Sequence, residues 1–295
     1  MSLVLSIIIP LYNKQGSIKS TIESILSQEY NDFEIVVVDD GSTDKSVQVV
    51  KSISDDRIHL YQKENGGPAS ARNYGVKMAK GKWVLFLDSD DTLVDNMLVE
   101  VINNIHRKRF VDVFTYNQYY EINGQRFLRV HNYGNGYILF PFLSYYFDEI
   151  YPGPGRTVVK REIMLKEPFR EDLRRHEDTE NTFRLMRKYR FYACPQPLFN
   201  YNQDTLAASC KRDNYREDFL CIMEPKGKSL FEQMAMLKLY NTEAKWIYPD
   251  VVKQIYGNTF HKKYLGRTKK CLTLYKKYID NTKVIINKLF NQQKI

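Results

Sequence analysis

The sequence predicts an α/β fold: a mixed, mainly parallel sheet with helices on both faces, followed by a helical C-terminal extension. Three observations carry this. Over the first 120 residues, short β-branched runs alternate with stretches of helical periodicity, and such alternation builds a parallel sheet covered on both faces. The chain has 295 residues, 43% hydrophobic and 27% charged, a globular balance that excludes extended disorder and collagen-like repetition. Beyond about residue 205 the strand signals stop, and the chain reads as helices rich in Tyr and Lys.

In order, Val4–Ile9 reads as a buried strand, and Ile18, Ile22, Ile25 and Leu26 form a helix stripe after Ser17. Phe33–Val38 is the second strand, followed by a helix from Ser42 that carries Val47, Val50 and Ile53. Arg57–Tyr61 is a third strand. Pro68 then opens a helix to Lys80, in a first-turn position where its missing N–H costs nothing. Trp83–Leu87 is the fourth strand. After residue 110, Val111–Tyr116 and Gln125–Val130 flank the turn signal Asn123-Gly124 and read as antiparallel additions, with a further strand at Thr157–Lys160. A helix over Glu177–Lys188 precedes two short strands, Phe191–Cys194 and Leu198–Tyr201.

Lys and Arg outnumber Asp and Glu by 44 to 35, which invites nucleic acid, an anionic membrane or phosphorylated small molecules as partners. The excess is localised. Residues 1–204 hold 26 basic and 27 acidic side chains, whereas residues 253–295 hold 11 basic residues and one acid, Asp280. The body is neutral and the tail is basic. No signal-peptide pattern is visible at residue 1 onward, the longest apolar-looking stretch (Ile138 to Phe147) is too short for a bilayer, and four cysteines show no CxxC pairing. A reduced, cytoplasmic protein is expected. Dinucleotide and P-loop glycine motifs, a nucleophile elbow and a histidine metal site are all absent from the sequence. Gly66-Gly67-Pro68-Ala69 reads equally as a phosphate-facing helix start or as a plain turn.

The strand ends are acidic. The second strand runs into Asp39-Asp40-Gly41-Ser42 and the fourth into Asp88-Ser89-Asp90-Asp91, where open α/β sheets bind ligands. Asp39 and Asp40 could simply cap the next helix. Three Asp within four residues repel one another unless something positive sits among them. A hard divalent cation with diphosphate oxygens would answer that repulsion. A third acidic site, Glu177-Asp178-Thr179-Glu180, opens a helix behind Arg174-Arg175. It reads either as dipole complementation or as a general base kept ionised by the helix N-terminus and the arginines.

Taken in series, Ser6-Ile7-Ile8-Ile9-Pro10-Leu11-Tyr12-Asn13, Val38-Asp39-Asp40-Gly41-Ser42-Thr43-Asp44, Gly66 through Gly75, Phe86-Leu87-Asp88-Ser89-Asp90-Asp91 and Glu177-Asp178 resemble the family-two glycosyltransferases of GT-A fold. The resemblance covers about residues 1–205. It implies a catalytic domain over 1–205, with a nucleotide-binding half (1–110) and an acceptor half (111–205), and leaves 206–295 as a helical, basic extension. It implies that Pro10 and Tyr12 line the base pocket, that Asp40 bonds the base edge with Asp39 supporting the loop, and that Arg72 approaches base or diphosphate. Asp88-Ser89-Asp90 corresponds to the family's DxD motif. Asp90 would bind Mn²⁺ or Mg²⁺, Asp88 would contact the ribose or the metal shell, and Asp178 would be the base.

The function so implied is metal-dependent, inverting transfer from a nucleotide-sugar donor, UDP-linked, to a glycan or lipid-linked acceptor hydroxyl in bacterial surface polysaccharide synthesis. No Gln-x-x-Arg-Trp follows Asp178, which argues against a processive synthase. The loop after Tyr201 lacks the basic residue that many relatives place there. Alternatives are a polyprenyl-phosphate sugar transferase and a non-catalytic nucleotide-sugar or nucleic-acid binder. Nucleic acid is not expected, because acidic strand ends repel a phosphate backbone. The tail over 255–295 reads either as a solvated helix packed on the body or as a peripheral contact with anionic lipid at the inner membrane face.

Overall fold

Four strands of the first half lie side by side and run in one direction: β1 (Leu5–Leu11), β2 (Phe33–Asp39), β3 (Ile58–Gln62) and β4 (Trp83–Phe86), in spatial order β3-β2-β1-β4. The computed structural model describes residues 3–122, 124–129, 133–202, 218–219 and 228–239. Every residue of β2 is buried, as the apolar run Ile35–Val38 requires of a strand covered on both faces. The period of two divides the side chains between two cores. Ile8, Val36, Val38, Val84 and Phe86 face the layer that holds α3 (Pro68–Met78). Leu5, Ile7, Ile9, Ile35, Val37 and Leu85 face α1 (Ile18–Leu26) and α4 (Met97–Arg107).

The helix expected from Ser42 is α2 (Ser46–Lys51), four residues later. The cause is the neighbouring loop. Asn13 Oδ1 accepts from the Thr43 amide at 2.8 Å and Gln15 Oε1 from the Lys45 amide at 2.9 Å, so these donors serve the loop before the helix begins.

The sheet continues past β4 through β5 (Thr92–Leu93), β6 (Val113–Ile122), β7 (Gln125–Arg129), β8 (Gly136–Ile138), β9 (Thr157–Lys160) and β10 (Phe191–Asn202), in the order β4-β9-β6-β10-β5. β9 is antiparallel to both neighbours, β6 and β10 are parallel, and β6 and β7 form the hairpin expected around Asn123-Gly124. The two short strands expected at 191–194 and 198–201 are one strand, β10, with register shifts around Pro197. Pro195 and Pro197 cannot donate to the ladder, so it slips locally instead of ending.

Three helices cover this half: α5 (Pro141–Tyr146), α6 (Arg161–Lys166) and α7 (Glu177–Lys188). α7 has the limits its periodicity predicts. Within the expected extension, α8 (Leu230–Leu239) buries Ala235, Met236 and Leu239 in the main core, and Met234 packs on Leu143 of α5. The boundary expected at 205/206, residues 240–295 with their basic cluster, and Cys210, Cys221 and Cys271 lie outside the described residues. Among the described residues no helix is long and apolar enough to cross a membrane.

Two contacts aim α3 at the strand ends. A Cβ built on Gly75 would stand 2.4 Å from Ile8 Cγ2, so only glycine lets the helix lie this close to β1. The buried Asn73 amide clamps Phe169, donating to its carbonyl and accepting from its N–H, each at 2.8 Å.

Candidate active site

The C-terminal ends of β1, β2 and β4 and the start of α3 enclose a cleft of about 450 Å³, where parallel sheets place their ligands. Pro10, Tyr12, Asp40, Arg72, Asp88 and Asp90 all line it. Six of the eight residues singled out in the sequence therefore meet in one place, from four separate segments. Tyr12 is 48% exposed at the rim, which leaves its ring face available.

Asp40 is buried and already engaged. Its carboxylate accepts from Lys63 Nζ at 2.7 Å, the Gly66 amide at 3.0 Å and the Gly67 amide at 2.7 Å. A carboxylate has about four acceptor positions, so roughly one remains to face a ligand. The same bonds bear on the two readings of Gly66-Gly67: both amides serve Asp40, and Gly67 takes φ +87° just before α3. Asp39 is buried away from the cleft and accepts from the Ser42 amide at 3.3 Å, where it holds the loop.

The acids after β4 divide. Asp88 and Asp90 face the cleft, while Asp91 is buried and accepts from the Asn202 amide at 3.1 Å. Burial pushes the Asp91 carboxyl well up, and the charges of Asp88 and Asp90 add to the effect. The positive charge that such a cluster requires comes first from the protein itself. Lys14 Nζ lies 2.6 Å from Asp90 Oδ2, and Arg72 donates to Asp88 Oδ1 at 2.9 Å. Lys14 and Arg174, the latter bonded to the Gly66 carbonyl at 3.1 Å, also line the cleft. The sequence reading does not assign either one to the donor site. Lys14 sits 76 positions from Asp90, and only the meeting of two strand ends brings them together.

Arg72 links this cleft to α7. It is buried, and its other terminal nitrogen donates to Glu177 Oε1 at 3.1 Å. Burial opposes its charge, yet Asp88 and Glu177, with Asp178 beyond them, hold the guanidinium more firmly protonated than usual. Burial raises Glu177, and the neighbouring Asp178 raises it further. Asp178 does not line the cleft. It sits in the first turn of α7, where its Oδ1 accepts from the Thr179 amide at 2.6 Å.

A divalent cation would find at most a partial site here. Among the described residues no group of three or more His, Cys, Asp or Glu could cage an ion. Two carboxylates across Ser89, facing a cleft, nevertheless suit a hard cation that takes one or two protein oxygens and completes its shell with phosphate and water. The donor set fits on those terms.

Residues 6–189 match the family described as Glycosyl transferase family 2, and that span is more than half of the chain. The chain belongs to glycosyl transferase family 2. Among curated relatives, Glycosyltransferase GlyG of Streptococcus pneumoniae is 35% identical over 134 residues, 44% of this chain and 44% of its own length. A UDP-Glc:alpha-D-GlcNAc-diphosphoundecaprenol beta-1,3-glucosyltransferase, WfaP of Escherichia coli, is 42% identical over 120 residues, 40% of this chain and 46% of its own. The match to an uncharacterized glycosyltransferase of Rickettsia bellii covers 17% of that protein, so this chain aligns with less than half the length of these relatives. Among solved structures, S. aureus TarS 1–349 in complex with UDP-GlcNAc superposes with a TM-score of 0.69 at 21% identity, over 85% of this chain and 77% of that one. The family's GT-A fold is thus the fold of this chain.

Proposed function

We propose that the protein moves a single sugar from a nucleoside-diphosphate sugar, UDP-linked, to a hydroxyl of a glycan or lipid-linked acceptor, with inversion. The observation that carries this reading is the convergence of Tyr12, Asp40, Arg72, Asp88 and Asp90 on one cleft in a family 2 chain. Tyr12 stacks on the base and Asp40 accepts from its edge. Lys14, Arg72 and Arg174 face the diphosphate and supply the cations for which the sequence shows no candidate after Tyr201. Mn²⁺ or Mg²⁺, held by Asp90 with Asp88 beside it, would supply Lewis-acid neutralisation of the leaving diphosphate. Asp178 accepts the proton of the acceptor hydroxyl as its oxygen bonds to the anomeric carbon and the bond to the diphosphate breaks. WfaP acts on a diphosphoundecaprenol-linked sugar, which supports a lipid-linked acceptor in surface polysaccharide assembly here.

The test is calorimetry and donor hydrolysis with a panel of UDP-, GDP- and dTDP-sugars, with and without Mn²⁺. Saturable binding of a UDP-sugar, weakened by EDTA and by Asp90→Ala, is expected. Binding that survives both would remove the metal from the account, and no binding by any donor would overturn the reading.

A further inference from the structure

The helix that carries Asp178 begins in a constrained way. His176 precedes it at φ +54°, a left-handed conformation, and no side chain caps the helix N-terminus. A non-glycine residue persists there only when its surroundings hold it. One side chain that holds His176 comes from outside the segment that matches the family. Asp218 is fully buried, and its Oδ1 accepts from His176 Nδ1–H at 2.8 Å, while its Oδ2 lies 3.7 Å from Arg175 Nε. Backbone contacts repeat the tie: Arg175 and Asp218 form a parallel bridge, and the Phe219 amide donates to the Arg175 carbonyl at 3.3 Å. Phe219 then packs edge-on against Phe183 of α7, with ring centroids 6.0 Å apart.

We propose that Asp218 is a positioning residue for sugar transfer. Through His176 it sets the left-handed bend from which Glu177 and Asp178 project, and it works as the carboxylate partners of other functional histidines do, by fixing tautomer and ring orientation. Glu177 is also held from the donor side by Arg72. The first turn of α7 is therefore gripped from two sides, one inside the family segment and one beyond it. The inference rests on the reading of Asp178 as the base.

The test combines amide hydrogen exchange on the full-length chain with Mn²⁺-supported hydrolysis of UDP-glucose and UDP-GlcNAc. Asp218→Ala should raise exchange in residues 174–182 by about ten-fold while residues 66–78, on the donor side, stay unchanged. The turnover rate should fall by about ten-fold or more with donor KM within about two-fold, as expected when a reacting group is displaced and binding is spared. Asp218→Asn should restore both, because its amide oxygen still accepts from His176. If Asp218→Ala does not fold, His176→Asn, which tolerates the bend but lacks the ring, should show the same local exchange. Wild-type exchange at 174–182, equal loosening of 66–78, or an Asp218→Asn as impaired as Asp218→Ala would each overturn the proposal. Asp178→Asn separates the two readings. If it abolishes turnover while Asp218→Ala keeps it, the base stands and the strut falls. If Asp178→Asn turns over normally, the base reading falls, and the exchange result alone judges the strut.

Discussion

The two halves of the molecule place functional side chains by different means. In the first half, parallel strands all end at one edge, so residues at or just past the ends of β1, β2 and β4 meet whatever their separation in sequence. Pro10, Asp40 and Asp88 share a cleft for that reason. The second half has mixed strand directions, and α7, which carries Asp178, is fixed by its apolar face (Phe183, Leu185 and Met186) and by discrete polar pairs: Arg72 with Glu177, His176 with Asp218, and Arg187 with Glu232. Geometry imposed by a sheet tolerates the loss of one side chain. Geometry that leans on individual polar pairs is more sensitive to losing one.

The largest contrast is expected at the chemistry. Asp178→Asn should lower transfer by about 10²–10⁴-fold, the usual worth of a positioned proton acceptor, with donor affinity unchanged by calorimetry. A parallel loss of donor binding would mean that the two halves do not divide the labour in this way. Next is the bridge between them. Arg72→Ala leaves the buried Glu177 without its cation and should cost about 3 kcal/mol in urea unfolding, together with weaker binding of UDP. Stability within error of wild type would show that the bridge is dispensable.

Within the sheet-built half, Gly75→Val should cost about 1–3 kcal/mol by forcing α3 off β1. Because Arg72 rides on that helix, UDP affinity should fall as well; an unchanged affinity would uncouple the helix from the cleft. The smallest effect concerns Asp112, which receives Lys160 Nζ at 2.7 Å and Arg190 Nε at 2.9 Å. Burial raises its carboxyl, but hydrogen bonds from Arg190 and Lys160 outweigh that and leave it below the usual carboxylate range. A group depressed in the folded state stabilises above its unfolded pKa, about 3.9, and loses that contribution as pH falls below it. Asp112→Asn should therefore be less stable than wild type at pH 7, and the gap should close below about pH 4. A gap that persists there would mean Asp112 acts by shape rather than charge.

The contrast also explains what could be read from the sequence. The β1, β2 and β4 runs and the acids after them are local patterns, and the parallel sheet turns them into a site without further information. Where a second loop intrudes, local patterns fail. Ser42 looks like a helix start, yet Asn13 and Gln15 take the amides that follow. The Pro195-Gln196-Pro197 stretch looks like a break between two strands, yet β6 carries the ladder across it. The stripe of Met97, Leu98, Val101 and Ile102 that makes α4 is a local periodic pattern of the same kind as the strand runs. Lys14 beside Asp90 and Asp218 beside His176 lie 76 and 42 positions apart. No periodicity or spacing rule links such pairs; only the assembled tertiary structure does.

The proposed nucleotide-diphosphate site in the cleft is tested most cleanly at Tyr12, which is exposed and serves no core. UDP should be titrated calorimetrically, in the presence of Mn²⁺, into the wild-type protein and into Tyr12→Ala. Saturable binding that weakens by about ten-fold or more in the variant, as loss of one base-stacking face predicts, with thermal stability unchanged, is the expected result. Equal affinity in both proteins, or no binding to either, would contradict the assignment.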